Sequence, residues 1–362
     1  MNQLIKIFSE FKPEYTPVSI SAYGSGHIND TYLVQVTSPS SQGFVLQRIN
    51  HHIFKDVDGM MSNIQKVTTH ITANTRLNNV CEITIPEFFS DKEGRSVVQD
   101  KTGDYWRLGR FVAASRSYDR IESTDLAFEG GKAFGSFIRL TSGIDPGTMV
   151  ETLPDFHRLS VRLGTFRQVV KADPVHRAAA VEKEVTFVEN RAESLLKLET
   201  MLDGGQLPLR ITHNDTKINN VLFNQENKAI AVVDLDTVMP GTLLFDFGDA
   251  IRTGACTSEE DEPDLSKTDI DLGLFEAYSA GYLNAAGNVM VPAEKVLLAF
   301  SARVMTFIIG LRFLTDFING DQYYKTKYPE HNLVRARVQF RLLECMEEKS
   351  DLMETIVRKL IY

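Results

Sequence analysis

Residues 212–252, THNDTKINNVLFNQENKAIAVVDLDTVMPGTLLFDFGDAIR, constrain this chain more than any other stretch. A polar run from His213 to Asn220 lies between apolar segments that read as short strands: LRIT at 209–212, VLF at 221–223 and IAVVDL at 230–235. His213-Asn214-Asp215 is followed five residues after the aspartate by Asn220, the HxDxxxxN spacing of kinase catalytic loops. Phosphoryl transfer needs a carboxylate that orients the acceptor hydroxyl and takes its proton, and an amide oxygen on the same loop to hold a metal ion. Asp234 ends the following apolar strand, and Asp236 stands two positions on. Mg²⁺ is a hard cation that takes one or two carboxylates beside substrate phosphates. Asp234 is therefore read as the principal metal ligand, with Asp236 adding a second contact or approaching another ion. The string Asp246-Phe247-Gly248 looks like the kinase DFG, but it lies 31 residues after Asp215 and beyond the strand. Asp246 is read as a structural brace of the catalytic loop.

At 362 residues the chain exceeds the usual size of a single core, so two lobes are expected, at 1–113 and 114–362. The first carries alternating segments at 18–23, 31–36 and 44–49, helical spacing over 57–73, and further strand candidates at 83–89 and 105–112. The second turns helical: STD at 123–125 offers N-caps for a helix to about Leu140, a charged amphipathic helix is expected over 178–201, and helices dominate from about 273 onward. The fold class expected is α+β, with a small antiparallel sheet lobe before a larger, mainly helical one.

The net charge of −9, with no basic stripe, argues against a nucleic-acid partner. It does not argue against a nucleotide, whose phosphate site is built locally from backbone amides, a few cations and metal. Three widely spaced cysteines suit a reducing cytoplasm, and no apolar leader is seen at the N-terminus. Residues 296–314 approach the length of a membrane span, but Arg303, Gly310 and Arg312 interrupt them, so a buried helix of the large lobe is expected and no membrane partner.

THNDTKINN, VVDLDTVMPGTLLFDFGD and KYPEHNLVRAR, with YGSGHINDTYLV and FVLQRIN near the N-terminus, resemble the aminoglycoside phosphotransferase and choline kinase superfamily. Within it the chain looks most like the N-acetylhexosamine 1-kinases, over about residues 20–345. The resemblance implies a bilobal protein-kinase-like fold with ATP between the lobes. It implies transfer of the γ-phosphate to the anomeric hydroxyl of N-acetylglucosamine or N-acetylgalactosamine. It places Asp215 as base, and Asn220 and Asp234 on magnesium.

The phosphate-gripping parts of the small lobe depart from the general plan. The glycine loop is only Gly24-Ser25-Gly26. FVLQRIN offers Gln47 and Arg48 where a strand lysine normally stands, and the helix at 57–73 contains no glutamate to pair with one. Gln47 and Arg48 alternate on a strand, so only one faces the cleft. The interlobe connection near Phe111 and Val112 should meet adenine through its backbone. For the acceptor, His27, Asp30, Asp215, Arg312, Tyr324 and Arg337 are the candidates, with Asp316 a possible partner for Arg312 one turn away. Two other readings stand beside the sugar kinase: a kinase of another small alcohol (homoserine, choline or an aminoglycoside), and a nucleotide-binding pseudokinase. The acidic run 259–266 bears on the aminoglycoside, which is polycationic.

Overall fold

The computed structural model describes residues 2–24, 28–37, 43–78 and 83–362. The N-terminal part is an antiparallel sheet. Its strands are β1 (Pro17–Ala22), β2 (Asp30–Val36), β3 (Gly43–Ile49), β4 (Phe88–Phe89), β5 (Val98–Gln99) and β6 (Tyr105–Arg110). The order is β1-β2-β3-β6-β4, with β5 also on β6. Helix α1 (Asn2–Phe11) precedes the sheet, and α2 (Val57–Asn78) follows β3. Sequence reading passed over α1, although Leu4, Ile7, Phe8 and Phe11 recur at helical spacing. They pack with Val34, Phe44, Leu46, Trp106 and Leu108 on one face of the sheet. The segment 83–89 pairs with β6 only at its last two residues, while Thr84 bridges in parallel to Ala231 of the C-terminal part.

The side-chain period of two sorts the sheet into two faces. Asp30, Leu46, Arg48 and Trp106 share the face that α1 covers. Thr31, Gln47 and Arg107, which are register partners across β2, β3 and β6, stand on the opposite face.

The remainder is mainly helical. It runs α3 (Thr124–Thr141), α4 (Leu159–Ala172), α5 (Glu182–Leu195) and α6 (Lys197–Asp203). Two short ribbons follow, β7 (Arg210–Thr212) with β10 (Met239–Gly241), and β8 (Val221–Phe223) with β9 (Ala229–Val232). After them come α7 (Leu243–Gly254), α8 (Leu272–Ala286), α9 (Pro292–Val296), α10 (Leu298–Ile318), α11 (His331–Glu348) and α12 (Ser350–Ile361). Ser123 caps α3 through its side chain, as its position before the apolar pattern suggests. The single helix expected over 178–201 is instead a 3₁₀ turn followed by α5 and α6.

Helices α3 and α8 cross at unusually close range because glycines line the crossing. A Cβ on Gly131 would stand 2.1 Å from the Tyr278 carbonyl oxygen, and one on Gly281 would stand 2.0 Å from that of Phe128. Helix α10 is long and apolar enough to span a membrane by composition, yet most of it is buried among the other helices. Arg303 meets Glu354 at 3.7 Å, and Gly310 allows the ring of Phe340 to approach.

The two ribbons explain why distant motifs converge. One loop, 213–220, joins β7 to β8. The other, 233–238, joins β9 to β10. Each ribbon contributes one strand to each loop, so pairing of the strands brings the loops together.

Candidate active site

Two non-glycine residues in the left-handed region mark these loops: Asn214 (φ 64) and Asp234 (φ 61). Asn and Asp tolerate this conformation because their short polar side chains bond locally. Asn214 does so, donating to the carbonyls of Thr212 (3.3 Å) and Thr237 (2.9 Å). Thr237 donates back to the His213 carbonyl at 2.6 Å.

His213 is fully buried against the edges of Phe134 and Phe137 of α3. Burial pushes it below the usual histidine range, so the ring is neutral. The Asp215 N–H donates to Nδ1 (3.3 Å), which leaves the proton on Nε2 to donate to the Val233 carbonyl (2.9 Å). The histidine thus ties the catalytic loop to the residue before Asp234. Asp246, near the start of α7, accepts the N–H groups of His213 (2.8 Å) and Asn214 (2.7 Å) on its two oxygens. Its own carbonyl accepts from Thr216 Oγ1 at 2.6 Å. This is the bracing expected of Asp246.

Asp215 is partly exposed. Asn220 Nδ2 donates to its carbonyl (2.9 Å) and its carboxylate (3.1 Å), and Lys217 Nζ lies 3.4 Å from Oδ1. Among the described residues nothing donates to the Asn220 amide oxygen. Lys217 and Asp234 are both reached by solvent and yet densely surrounded by protein, as side chains on the floor of a cleft are. The charge of Asp215 raises Lys217 above the usual lysine range. Partial desolvation, then the charges of Asp236 and Asp215, push Asp234 up to about 7, while Arg107 and Lys217 act the other way.

A crowded carboxylate of this kind is a good ligand for a cation, because the ion relieves the repulsion. Asp234 and the free amide oxygen of Asn220 fit a hard divalent cation that takes its remaining oxygens from phosphates and water. Among the described residues no three His, Cys, Asp or Glu side chains form a ready-made metal cage. Asp236 differs from Asp234. Its side chain is 3% exposed, Arg107 Nη1 pairs with Oδ1, and Asn29 Nδ2 donates to Oδ2 at 2.6 Å.

Several expected residues lie elsewhere. Arg48 and Asp30 pair with each other on the face of the sheet turned away from these loops, and Arg48 also meets Asp104 at 3.1 Å. They are corrected from cleft to outer surface; a strand's alternating sides allow only Gln47 to face inward. Gln47 accepts from Arg107 Nε (2.9 Å) and donates to Thr31 Oγ1 (3.0 Å). Arg337 pairs with Glu184 of α5 at 2.6 Å and is likewise corrected to a structural surface position. Gly24 takes φ 80, a conformation open to glycine. Ser25, Gly26 and His27 lie outside the described residues. In the connection after β6, the Phe111 N–H donates to Gly43 (3.1 Å), its ring meets Tyr23 edge-on, and the Val112 carbonyl accepts from Ser115 (2.7 Å).

Arg312 does not pair with Asp316. The Asp316 carboxylate accepts the N–H groups of Tyr323 (2.8 Å) and Tyr324 (2.9 Å) and the amide of Asn332 (2.9 Å) instead. Arg312 lies instead against the rings of Phe156, Tyr323 and Tyr324, 5.1–5.8 Å from their centroids. Beside it is Arg162 of α4, which burial and then the like charge of Arg312 pull below the usual guanidinium range. Neither arginine has a carboxylate within ion-pair distance among the described residues. Both act electrostatically on buried His157, which also senses Asp249 and the backbone of Asn214. This arginine–tyrosine group therefore adjoins the 213–220 loop.

A model of the APH phosphotransferase enzyme family matches residues 19–286, from β1 through α8 and across both loops. The chain belongs to this family. As an APH-family member it is a phosphotransferase with a hydroxyl acceptor, and the superfamily suggested by its motifs is the right one. Solved structures share the fold at low identity. An aminoglycoside phosphotransferase from Alicyclobacillus acidocaldarius is 11% identical, with TM-score 0.64, covering 98% of this chain and 95% of that one. The GDP complex of aminoglycoside 2'-phosphotransferase-IIIa is 11% identical, with TM-score 0.60, covering 94% and 98%. A choline kinase from Cryptosporidium parvum is 13% identical, with TM-score 0.57, covering 95% and 93%. The protein-kinase-like architecture expected from the motifs is thus the one observed.

Sequence reading missed Asn29, Arg107, Arg162 and Lys217. Lys217 had a local signal, a cation two residues after Asp215. Asn29 and Arg107 had none, since their roles depend on which sheet face meets the second loop.

Proposed function

We propose that this phosphotransferase moves the γ-phosphate of ATP onto the anomeric hydroxyl of an N-acetylhexosamine. The observation that carries the reading is the convergence of Asp215, Asn220 and Asp234 on one cleft floor from two crossed loops. Asp215 has an open carboxylate oriented by Asn220 and accepts the acceptor hydroxyl's proton. The acceptor oxygen then bonds the γ-phosphorus as the bond to the bridging oxygen breaks and ADP leaves. Lys217, held charged beside Asp215, faces the transferring group and offsets its negative charge. Asn220 and Asp234 would hold magnesium, which supplies charge neutralisation of the phosphates when bound. Most of the acceleration comes from positioning and fixed charge. The intact carboxylates of Asp215 and Asp234, both reached by solvent, favour this reading over a pseudokinase.

The arginine–tyrosine group supports a neutral sugar acceptor over a cationic one. Two arginines without carboxylate partners repel an amine-bearing acceptor, whereas they donate well to hydroxyl and carbonyl oxygens. Tyrosine rings suit a sugar's apolar face. The acidic run offers no free pocket for an aminoglycoside: Glu259, Glu260, Asp261 and Glu262 pair with Arg120, Arg252, His331 or Lys327, and Lys267. The same two arginines favour one second reading, a hydroxy amino acid such as homoserine, with its carboxylate bound by them and its ammonium turned away.

The deciding experiment is an ADP-release screen over N-acetylhexosamines, homoserine, choline and aminoglycosides, with the product phosphate mapped by ³¹P NMR. A sugar 1-phosphate is expected. Turnover with homoserine or choline alone would replace the sugar reading and leave the phosphotransferase chemistry in place.

A further inference from the structure

The general kinase plan orders its phosphate site with a strand lysine paired to a helix glutamate inside the small lobe. Neither is present here, and the structure shows what occupies their places. On β3 the cleft-facing residue is Gln47, which is neutral. On α2 the residue that reaches inward is Asn63, fully buried; it donates to the Val150 (2.7 Å) and Val238 (3.0 Å) carbonyls and accepts the Val150 N–H (2.9 Å). The positive charge has moved one strand over, to Arg107 on β6. Arg107 is 1% exposed, lies 5.2 Å from the Phe88 ring centroid, donates to Gln47 through Nε and pairs with Asp236 through Nη1.

Asp236 belongs to the other lobe and sits two residues past Asp234. Its second oxygen is held by Asn29, just before β2, and the Asn29 side-chain oxygen accepts the Asn50 N–H at 2.9 Å. The small lobe thus grips the 233–238 loop through Arg107, Asn29 and Asn63, all on partners flanking the carboxylate proposed to hold metal. A buried ion pair is costly to break, because removing one partner strands the other charge. Held at both oxygens, Asp236 restrains the backbone turn from which Asp234 projects in its left-handed conformation.

We propose that Arg107 is a positioning residue. Acting through Asp236 from the opposite lobe, it fixes the loop that presents Asp234 and so replaces the missing lysine–glutamate pair as the device that orders the metal site. Asp236 is then part of this latch and not a metal ligand. The proposal rests on the phosphotransferase reading above.

The test is calorimetric titration of the whole protein with ADP, with and without Mg²⁺, using Arg107→Lys and Asp236→Asn. Lysine keeps the charge but cannot bridge Gln47 and Asp236 as the guanidinium fork does. Each variant is expected to weaken ADP binding in Mg²⁺ about tenfold and to leave metal-free ADP binding within about twofold. The double variant should be no worse than the weaker-binding single, since the two residues act as one unit. Equal losses with and without Mg²⁺ in Arg107→Lys would make Arg107 a direct phosphate contact and overturn the proposal. So would unchanged Mg²⁺-dependent binding. If Arg107→Lys does not fold, Asn29→Ala tests the same carboxylate from a half-buried position, with the same expected split and the same overturning results. Wild-type protein that binds neither ADP nor GDP with Mg²⁺ would remove the parent reading too. Wild-type binding, with Asp215→Asn losing turnover, keeps the parent reading standing whatever Arg107 does.

Discussion

Asn220 donates to both the main-chain carbonyl and the carboxylate of Asp215, at 2.9 and 3.1 Å, so its amide nitrogen orients that carboxylate while its amide oxygen stays free among the described residues. Asp215→Asn removes the proton acceptor and changes little else in the loop. Turnover is expected to fall by about 10²–10⁴-fold, with Mg·ADP binding retained and the melting temperature within a few degrees of wild type. Steady-state kinetics beside thermal melts check this, and near-normal turnover would take the base role away from Asp215.

Asp234 is pushed up to about 7 by partial desolvation and by the charges of Asp236 and Asp215. On the proposed assignment a proton and a metal ion compete for this carboxylate. Above pH 7 the site is ionised and ready. Below it, each pH unit should weaken Mg²⁺-dependent nucleotide binding by up to about tenfold, as one proton must leave. Titrations at pH 6 and pH 8, in buffers of different ionisation enthalpy, should report proton release on binding at the lower pH. Proton-neutral binding at both pH values would contradict the assignment.

Asp246 serves the loop by accepting two backbone N–H groups. Asp246→Asn replaces one acceptor oxygen with an NH₂ facing a donor, which leaves a buried N–H unpaired. A loss of roughly 1–3 kcal/mol of stability follows, visible in denaturant unfolding. In the fraction that remains folded, Mg²⁺ dependence should be that of wild type. A normally stable variant that had lost only Mg²⁺ binding would move the metal role to Asp246 and away from Asp234.

The 212–252 stretch was readable because its residues are close in sequence and their spacing is set by two crossed ribbons. Asp215, Asn220 and Asp234 come together as their spacing suggests, and Asp246 braces the loop from the start of a helix. Residues whose position depends on the parity of a strand were less readable. Arg48 and Gln47 differ by one residue and therefore by one whole face of the sheet; the paired charges Asp30 and Arg48 went outward, and the burial of α1 on that face decided it. Arg107 was invisible for the same reason: as a single residue in YWRLGRFV it looks like any strand arginine, and only the second lobe supplies its partner. Asp316 illustrates a further limit. Its helical distance from Arg312 is right for a pair, but the backbone of Tyr323 and Tyr324 takes both of its oxygens.

His157 is buried between Phe156 and Phe245, and burial pushes it down to about 3. Its unfolded value is near 6.5. The folded value is the lower one, so the unfolded chain binds the extra proton between these limits. Stability is full above about pH 6.5 and declines as pH falls toward 3, by at most about 1.4 kcal/mol per unit from this group. His157→Gln cannot take up that proton. Melting temperatures of the two proteins measured from pH 7.5 down to pH 5 should therefore converge as the solution is acidified, whatever their offset at neutral pH. Parallel curves would mean that the imidazole titrates alike in both states.

Arg162 and Arg312 lie near each other with no carboxylate partner among the described residues, an arrangement that suits the oxygen-rich acceptor proposed above. Truncating Arg312 to Ala removes both a donor and the cation stacked on Tyr323 and Tyr324. KM for the acceptor should rise about tenfold or more, the equivalent of one or two hydrogen bonds to a charged group, while KM for ATP stays within about twofold. Arg162→Gln keeps a donor in place of the charge, so a neutral sugar should lose less in that variant than in Arg312→Ala. A carboxylate-bearing acceptor depends on charge and should lose as much in either. The pattern across the two variants therefore separates a sugar from a hydroxy acid even before the product is mapped. An unchanged acceptor KM in both variants would show that the acceptor binds elsewhere in the cleft.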